Sequence, residues 1–190
     1  MKTLQGEEVS LNEAYEKTLT WFFSYPTIAM SLSDLVEEID VSKTTANKIV
    51  TQLVAEDFLR KEILGRTWRI TCNQHHPYNT KKKIPHNLHA IYASNIVDFV
   101  RDAVPHAQAI ILFGSYRKGD DTEKSDIDIA VEVADNNSVE IVKIGVLEKI
   151  GYRKNIDINV HIFSRNNIDL NLFASIANGI VLDGFLEVRP

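Results

Sequence analysis

Apolar residues recur at helical spacing through the first third of the chain. Leu11, Tyr15, Leu19, Phe22 and Phe23 line one face of a helix that Pro26 closes. Ser31 or Ser33 can cap a short second helix carrying Leu35, Val36 and Ile39. Asp40-Val41 then turns the chain, and Ser42 can cap a third helix. That helix sets Ala46, Ile49, Val50, Leu53 and Val54 on one face, opposite Lys43, Thr44, Asn47, Lys48, Thr51 and Gln52. Two extended runs, Phe58 to Leu64 and Thr67 to Thr71, flank Gly65-Arg66 and predict a β-hairpin.

The pattern lapses at residues 73–85, where Pro77, Pro85 and the run Lys81-Lys82-Lys83 read as a solvated linker. A helix beginning at His86 or Asn87 carries the stripe Leu88, Ile91, Tyr92, Ile96, Phe99 and Val100 as far as Pro105. The unbroken apolar run Ala109 to Phe113 predicts a buried strand. Ile127, Ile129, Val131 and Val133 alternate with Asp126, Asp128, Ala130 and Glu132, and Ile156 to Phe163 repeats the alternation, so two more strands follow. Ser138 to Ile150 reads as a helix between them. A last helix from Leu170 to Asn178 stops at Gly179, and Ile180 to Leu182 adds a short strand. Strands and helices mixed around one small sheet predict an α+β domain. The expected division is therefore 1–72, a linker at 73–86, and a domain at 87–190.

Composition narrows the class. With 44% hydrophobic and 25% charged residues, the 190-residue chain has the balance of a globular protein, not a disordered one. Its net charge of −5 argues against a protein that coats nucleic acid indiscriminately, while leaving room for a local basic face. No apolar run approaches the roughly 20 residues of a membrane span, and residues 1–8 lack the apolar core of a signal peptide. The one cysteine, Cys72, has no internal partner, which suits a reducing, cytoplasmic setting.

Chemistry concentrates in two places in the second half. The buried strand runs into Gly114-Ser115, and after ten intervening residues stands the pair Asp126-Ile127-Asp128. Residues i and i+2 of a strand share a face, so the two carboxylates project together and repel unless something positive lies between them. A divalent cation with a taste for hard oxygen ligands, such as magnesium, resolves that repulsion. Gly114 lets a phosphate approach the backbone, Ser115 can donate a hydrogen bond to it, and a helix starting there would add N–H donors. Asp157 lies on a later strand, on the same polar side as Asn159 and His161. Should that strand neighbour the Asp126–Asp128 strand, three carboxylates converge and can hold two magnesium ions for phosphoryl displacement.

These residues resemble the nucleotidyltransferase superfamily that includes DNA polymerase beta, above all its minimal members. Gly114, Ser115, Asp126, Asp128 and Asp157 match that family's motif in order and spacing, over a stretch from about Asn87 to the carboxy terminus. The resemblance implies that Gly114 and Ser115 hold a triphosphate and that Asp126 and Asp128 bind magnesium. Asp157 would be the third ligand and help to activate the incoming hydroxyl. A nucleoside monophosphate, AMP from ATP, would pass to a protein or nucleic-acid hydroxyl, with release of pyrophosphate. Many minimal members have Ala-Arg-Gly after Gly-Ser-x, whereas this chain has Arg117-Lys118-Gly119. Lys118 can supply positive charge there, though without a bidentate fork. Some minimal members are antitoxins that adenylylate a partner toxin, which suggests a toxin–antitoxin context.

The first third resembles the winged helix-turn-helix family, through Ser33 to Thr45 (SDLVEEIDVSKTT) and Gln52 to Leu59 (QLVAEDFL). Residues 1–75 carry eight Lys/Arg against eleven Asp/Glu, but within 42–71 six basic residues face three acidic ones. The excess falls where the resemblance expects DNA phosphates, making Lys43, Thr44, Thr45, Asn47, Lys48 and Arg66 the candidates for DNA contact. Such regulators often act as dimers, so the resemblance admits a homodimer while the oligomeric state stays open. A protein-contact role is the alternative for this domain. For the whole chain, the alternative is a DNA-binding regulator whose second domain senses nucleotide without transferring it. Cys72-x-x-His75 with His86-x-x-His89 imitates a zinc spacing, but the linker composition between them and the habit of a lone cysteine favour a small buried residue over a ligand.

Overall fold

The computed structural model describes residues 4–135 and 138–188. Residues 1–3, part of the opening read as lacking an apolar leader, lie outside the described residues. The chain divides into two compact units, Met1–Tyr78 with Gly151–Arg153, and Asn79–Ile150 with Lys154–Pro190. No helix among the described residues is long and apolar enough to cross a membrane.

The first unit contains helices α1 (Leu4–Ser24), α2 (Leu32–Ile39) and α3 (Lys43–Ala55), then strands β1 (Leu59–Leu64) and β2 (Thr67–Cys72). Ser31 caps α2 by accepting from the Asp34 N–H, and Ser42 caps α3 by accepting from the Thr45 N–H. Between those helices Asp40 takes the left-handed conformation at φ 51°, which turns the chain sharply. Leu19, Phe22, Leu35, Ala46, Val50 and Leu53 bury the inner helical faces against Phe58 and Ile70. The hairpin pairs in the register Leu59 with Cys72 and Leu64 with Thr67, and Gly65 takes the positive φ that so short a turn requires. Cys72 is buried in this core.

The second unit is a five-stranded mixed sheet in the order β5-β6-β4-β3-β7. Its strands are β3 (Ala109–Phe113), β4 (Ile127–Glu132), β5 (Glu140–Ile150), β6 (Arg153–Phe163) and β7 (Ile180–Gly184). The helices are α4 (Ile84–Ala93), α5 (Ile96–Ala103), α6 (Gly114–Lys118) and α7 (Leu170–Ala177), with a π-helical turn at Asn79–Lys83. β3 is antiparallel to both β4 and β7, while β4 and β6 run parallel. One face, carrying Ile110, Leu112, Ile127, Ile129, Ile158 and Val160, packs on α4 and α5 through Ile91, Ile96 and Val100. The other carries Ala109, Ile111, Phe113, Ala130 and Phe163, and meets Ile176 of α7.

Three expectations are corrected. Residues 138–150 form no helix: Glu140–Ile150 is an edge strand that hairpins onto β6 through Gly151-Tyr152. Gly145 lowers helical propensity there, while the Ile and Val residues favour a strand once β6 offers a partner. The single helix expected up to Pro105 breaks into α4 and α5 at Asn95, which sits at φ 58°. Lys83, expected to be solvated, is buried to 1% exposure and paired with Asp121. Pro85 interrupts nothing, because it occupies the first turn of α4, where a missing N–H costs no hydrogen bond.

Candidate active site

The sheet brings the acidic residues to one edge of the face that α7 partly covers. Phe113 at the end of β3 pairs with Asp128 of β4, and Asp128 pairs in turn with Asn159 of β6. Period-two alternation therefore puts Asp126, Asp128, Asp157, Asn159 and His161 on one side of neighbouring strands. Asp126 is exposed, whereas Asp128 and Asp157 are half-buried.

Each carboxylate faces a donor. The Asn159 side-chain amide donates to Asp126 at 3.3 Å. His161 Nε2 lies 3.5 Å from an oxygen of Asp128, and its ring stands edge-on to Phe113 at 5.0 Å between centroids. Lys143 on the edge strand β5 forms an ion pair with Asp157 at 2.6 Å. Among the described residues, no group of three or more His, Cys, Asp or Glu stands close enough to share a metal ion. That arrangement still suits magnesium, which is commonly bound through one or two carboxylates with substrate phosphates and water completing the shell. The donor set of Asp126 and Asp128 fits this mode, with Asp157 one strand away.

Gly114 is where β3 passes into α6. It holds φ +71°, and a Cβ added there would stand 2.6 Å from Asp128 Oδ2. The carboxylate thus occupies the space a side chain at residue 114 would need, and only glycine admits both. Tyr116, 1% exposed, anchors α6 into the core. Ser115 and Arg117 are left half-buried and Lys118 exposed. The short helix ends at Gly119, whose N–H donates to the Ser115 carbonyl at 2.8 Å.

The loop from α6 to Asp126 is fixed by residues that carry no local motif. Lys83 is ion-paired with Asp121 at 3.1 Å, and both side chains are almost wholly buried. The Asn87 amide donates to Asp121 at 2.8 Å and to the Tyr116 carbonyl at 3.2 Å. A further turn, with the Thr122 N–H donating to the Ser125 hydroxyl at 2.9 Å, leads directly into Asp126. Arg117 is a second residue that the motif does not mark. Its buried Nε finds no hydrogen-bond partner among the described residues, although it lines a groove beside Gly114. A lysine run with the composition of a linker, and an arginine at a family alanine position, give no sequence signal of these roles.

In the first unit, Lys43, Asn47 and Arg66 line one open groove of about 220 Å³ between α3 and the hairpin turn. Thr44 and Lys48 are exposed but lie outside that lining. Thr45 is half-buried and its hydroxyl is engaged with Ser42 at 2.9 Å, so it serves the α3 cap. Arg69 pairs with Glu62 across the hairpin at 3.1 Å.

The strand-to-helix glycine packed on the second aspartate of the Asp-x-Asp strand joins the two motifs in one candidate site for nucleotidyl transfer. Residues 93–174 match the family model described as a nucleotidyltransferase domain. Over 42 residues the chain is 50% identical to the protein adenylyltransferase MntA of Shewanella oneidensis. That stretch covers 22% of this chain and 30% of the relative. Both matches support nucleotidyl transfer as the class of chemistry.

Proposed function

We propose that the second unit is a magnesium-dependent nucleotidyltransferase that transfers AMP from ATP to a hydroxyl, most simply that of a protein. The observation that carries this reading is the fit of Asp128 against Gly114, which joins the phosphate-binding turn to the Asp-x-Asp strand. The choice of acceptor draws on the relative's own description as a protein adenylyltransferase. A nucleic-acid hydroxyl is the other acceptor class.

Asp126 and Asp128 would hold the magnesium, with Asp157 as the further ligand for a second ion. Bound there, magnesium would offset phosphate charge and stabilise the leaving pyrophosphate. Ser115 donates to a phosphate oxygen, and Lys118 and Arg117 add positive charge from the α6 side. The acceptor oxygen bonds to the α-phosphorus as the bond to the β-phosphate oxygen breaks and pyrophosphate departs. Asp157 takes the acceptor proton. Lys143 holds that carboxylate and must yield first, a small demand for an ion pair so exposed.

The first unit is read as a winged helix that binds DNA, with Lys43, Asn47 and Arg66 at the groove and Thr44 and Lys48 beside it. Thr45 supports the helix from its cap. A homodimer and a toxin partner as acceptor belong to the same reading. The Lys143–Asp157 pair favours a second one, a DNA-binding regulator whose nucleotide site senses without transferring. The two separate on pyrophosphate release: purified protein with ATP, magnesium and an acceptor-bearing extract should release it, and the Asp126→Ala/Asp128→Ala variant should not. Nucleotide binding without release from the unaltered protein would establish the sensor instead.

A further inference from the structure

Beside Gly114 a groove of about 420 Å³ opens between α6 and α7. One side is formed by Gly114, Arg117 and Lys118, and the other by Leu172, Ala174, Ser175 and Asn178, with Phe113 also in its wall. We propose that this groove takes the nucleoside of the bound triphosphate, and that α7 selects a base bearing an exocyclic amino group. The inference rests on the nucleotidyl-transfer reading and assigns the base site that the reading leaves open.

Position comes first. A Cβ at Gly114 would meet Asp128, and Gly114 also lines the groove, so a phosphate held at Asp128 through magnesium leaves its nucleoside within reach of α7. The chemistry of the walls agrees. Phe113, Leu172 and Ala174 present apolar surface, which suits a base ring and penalises a phosphate. Charge is confined to the α6 side, where the buried Arg117 Nε has no hydrogen-bond partner among the described residues. A buried donor of this kind calls for an acceptor, and a phosphate or ribose oxygen at the groove mouth supplies one.

Hydrogen-bond direction then reads the base. Asn178 commits one of its two Nδ2 hydrogens to the Ala174 carbonyl at 2.8 Å, and its amide oxygen remains an acceptor. Ser175 donates its hydroxyl proton to the Asn171 carbonyl at 3.1 Å, which leaves oxygen lone pairs. Both polar groups on the α7 wall therefore offer acceptors. The amino group of adenine can donate to both, whereas the corresponding carbonyl of uracil can meet only the second Asn178 N–H and is opposed by the two oxygens.

The test uses the full chain with magnesium and three ligands in calorimetric titrations: the α,β-methylene analogues of ATP and UTP, and inorganic tripolyphosphate. The methylene bridge replaces the bond that transfer breaks, so binding alone is read. Ser175→Trp fills the groove from an exposed position on α7 and should weaken the ATP analogue at least about tenfold, leaving tripolyphosphate unchanged. Asn178→Ala, which trims another side chain of the α7 wall, should reduce the preference for the ATP over the UTP analogue by about fivefold. Melting temperatures check that both variants fold, and Asn178→Ala decides if Ser175→Trp does not. Unchanged affinity and preference in the variants, with tripolyphosphate bound, would overturn the groove and leave the transfer reading intact. Failure of the unaltered protein to bind any of the three ligands would overturn both.

Discussion

Replacing Gly114 by alanine strikes the candidate site with one methyl group. A non-glycine residue held in the left-handed region costs about 1–2 kcal/mol. The new Cβ would also meet Asp128 Oδ2 at 2.6 Å and Asp128 Cβ at 3.3 Å. The nearest atom is the end of a side chain, so the expected relief is rotation of the carboxylate, not movement of the strand. Two other glycines separate strain from displacement. Gly65 has φ +63° with no atom of the described residues within 4 Å of an added Cβ, so alanine there reports strain alone. At Gly119 the Cβ would run into the Asn79 backbone oxygen, a clash no side-chain rotation relieves. Thermal denaturation should therefore rank Gly119→Ala as most damaging, with Gly114→Ala close to Gly65→Ala. Label transfer from α-labelled ATP should fall about 10²-fold in Gly114→Ala, the scale expected for a reacting group displaced by about 1 Å. Transfer at the unaltered rate would refute the role given to the Gly114–Asp128 contact. So would a loss of stability as large as that of Gly119→Ala, since the backbone and not the carboxylate would then have moved.

Other expectations follow from buried charge and from the basic groove. Lys83→Met leaves Asp121 buried without its cation and should cost about 3–5 kcal/mol in urea denaturation, with Lys83→Met/Asp121→Leu recovering part of it; equal stability in Lys83→Met would contradict the clamp. Burial, and then the charges of His89 and Lys83, hold the His86 imidazole below its ordinary value of 6.5. The unfolded chain therefore binds the proton first, so this contribution to stability is present above pH 6.5 and is lost as the pH falls through the lower folded value. His86→Gln should flatten that part of a melting-temperature profile, and an unaltered profile would remove the assignment. Lys43→Ala/Arg66→Ala should weaken duplex DNA binding and reduce the slope of log affinity against log salt by about 0.9 for each phosphate no longer neutralised. An unchanged slope would point the first unit toward protein contact.

The strands β3, β4 and β6 are legible because each declares its environment: a continuous apolar run in the sheet interior, and strict alternation around Asp126, Asp128 and Asp157. Helices α2 and α3 are legible through the cap residues Ser31 and Ser42. β5 passes for a helix because an edge strand is satisfied on one side only, and Ile141, Val142 and Val146 remain exposed without any inward–outward alternation to betray them. The clamp of Lys83, Asn87 and Asp121 joins residues more than thirty positions apart, so no local pattern could announce it. For the site, strand periodicity indicates which residues share a face. It cannot indicate that Lys143 sits on Asp157, since that pairing depends on β5 being a strand at all.

The most direct measurement is incubation of the protein with each α-labelled nucleoside triphosphate, magnesium and cell extract, beside the Asp126→Ala/Asp128→Ala variant. Nucleotidyl transfer predicts a labelled acceptor with ATP in the unaltered protein and none with the variant. Bound nucleotide with no labelled acceptor in any combination, or equal labelling by the variant, would contradict it.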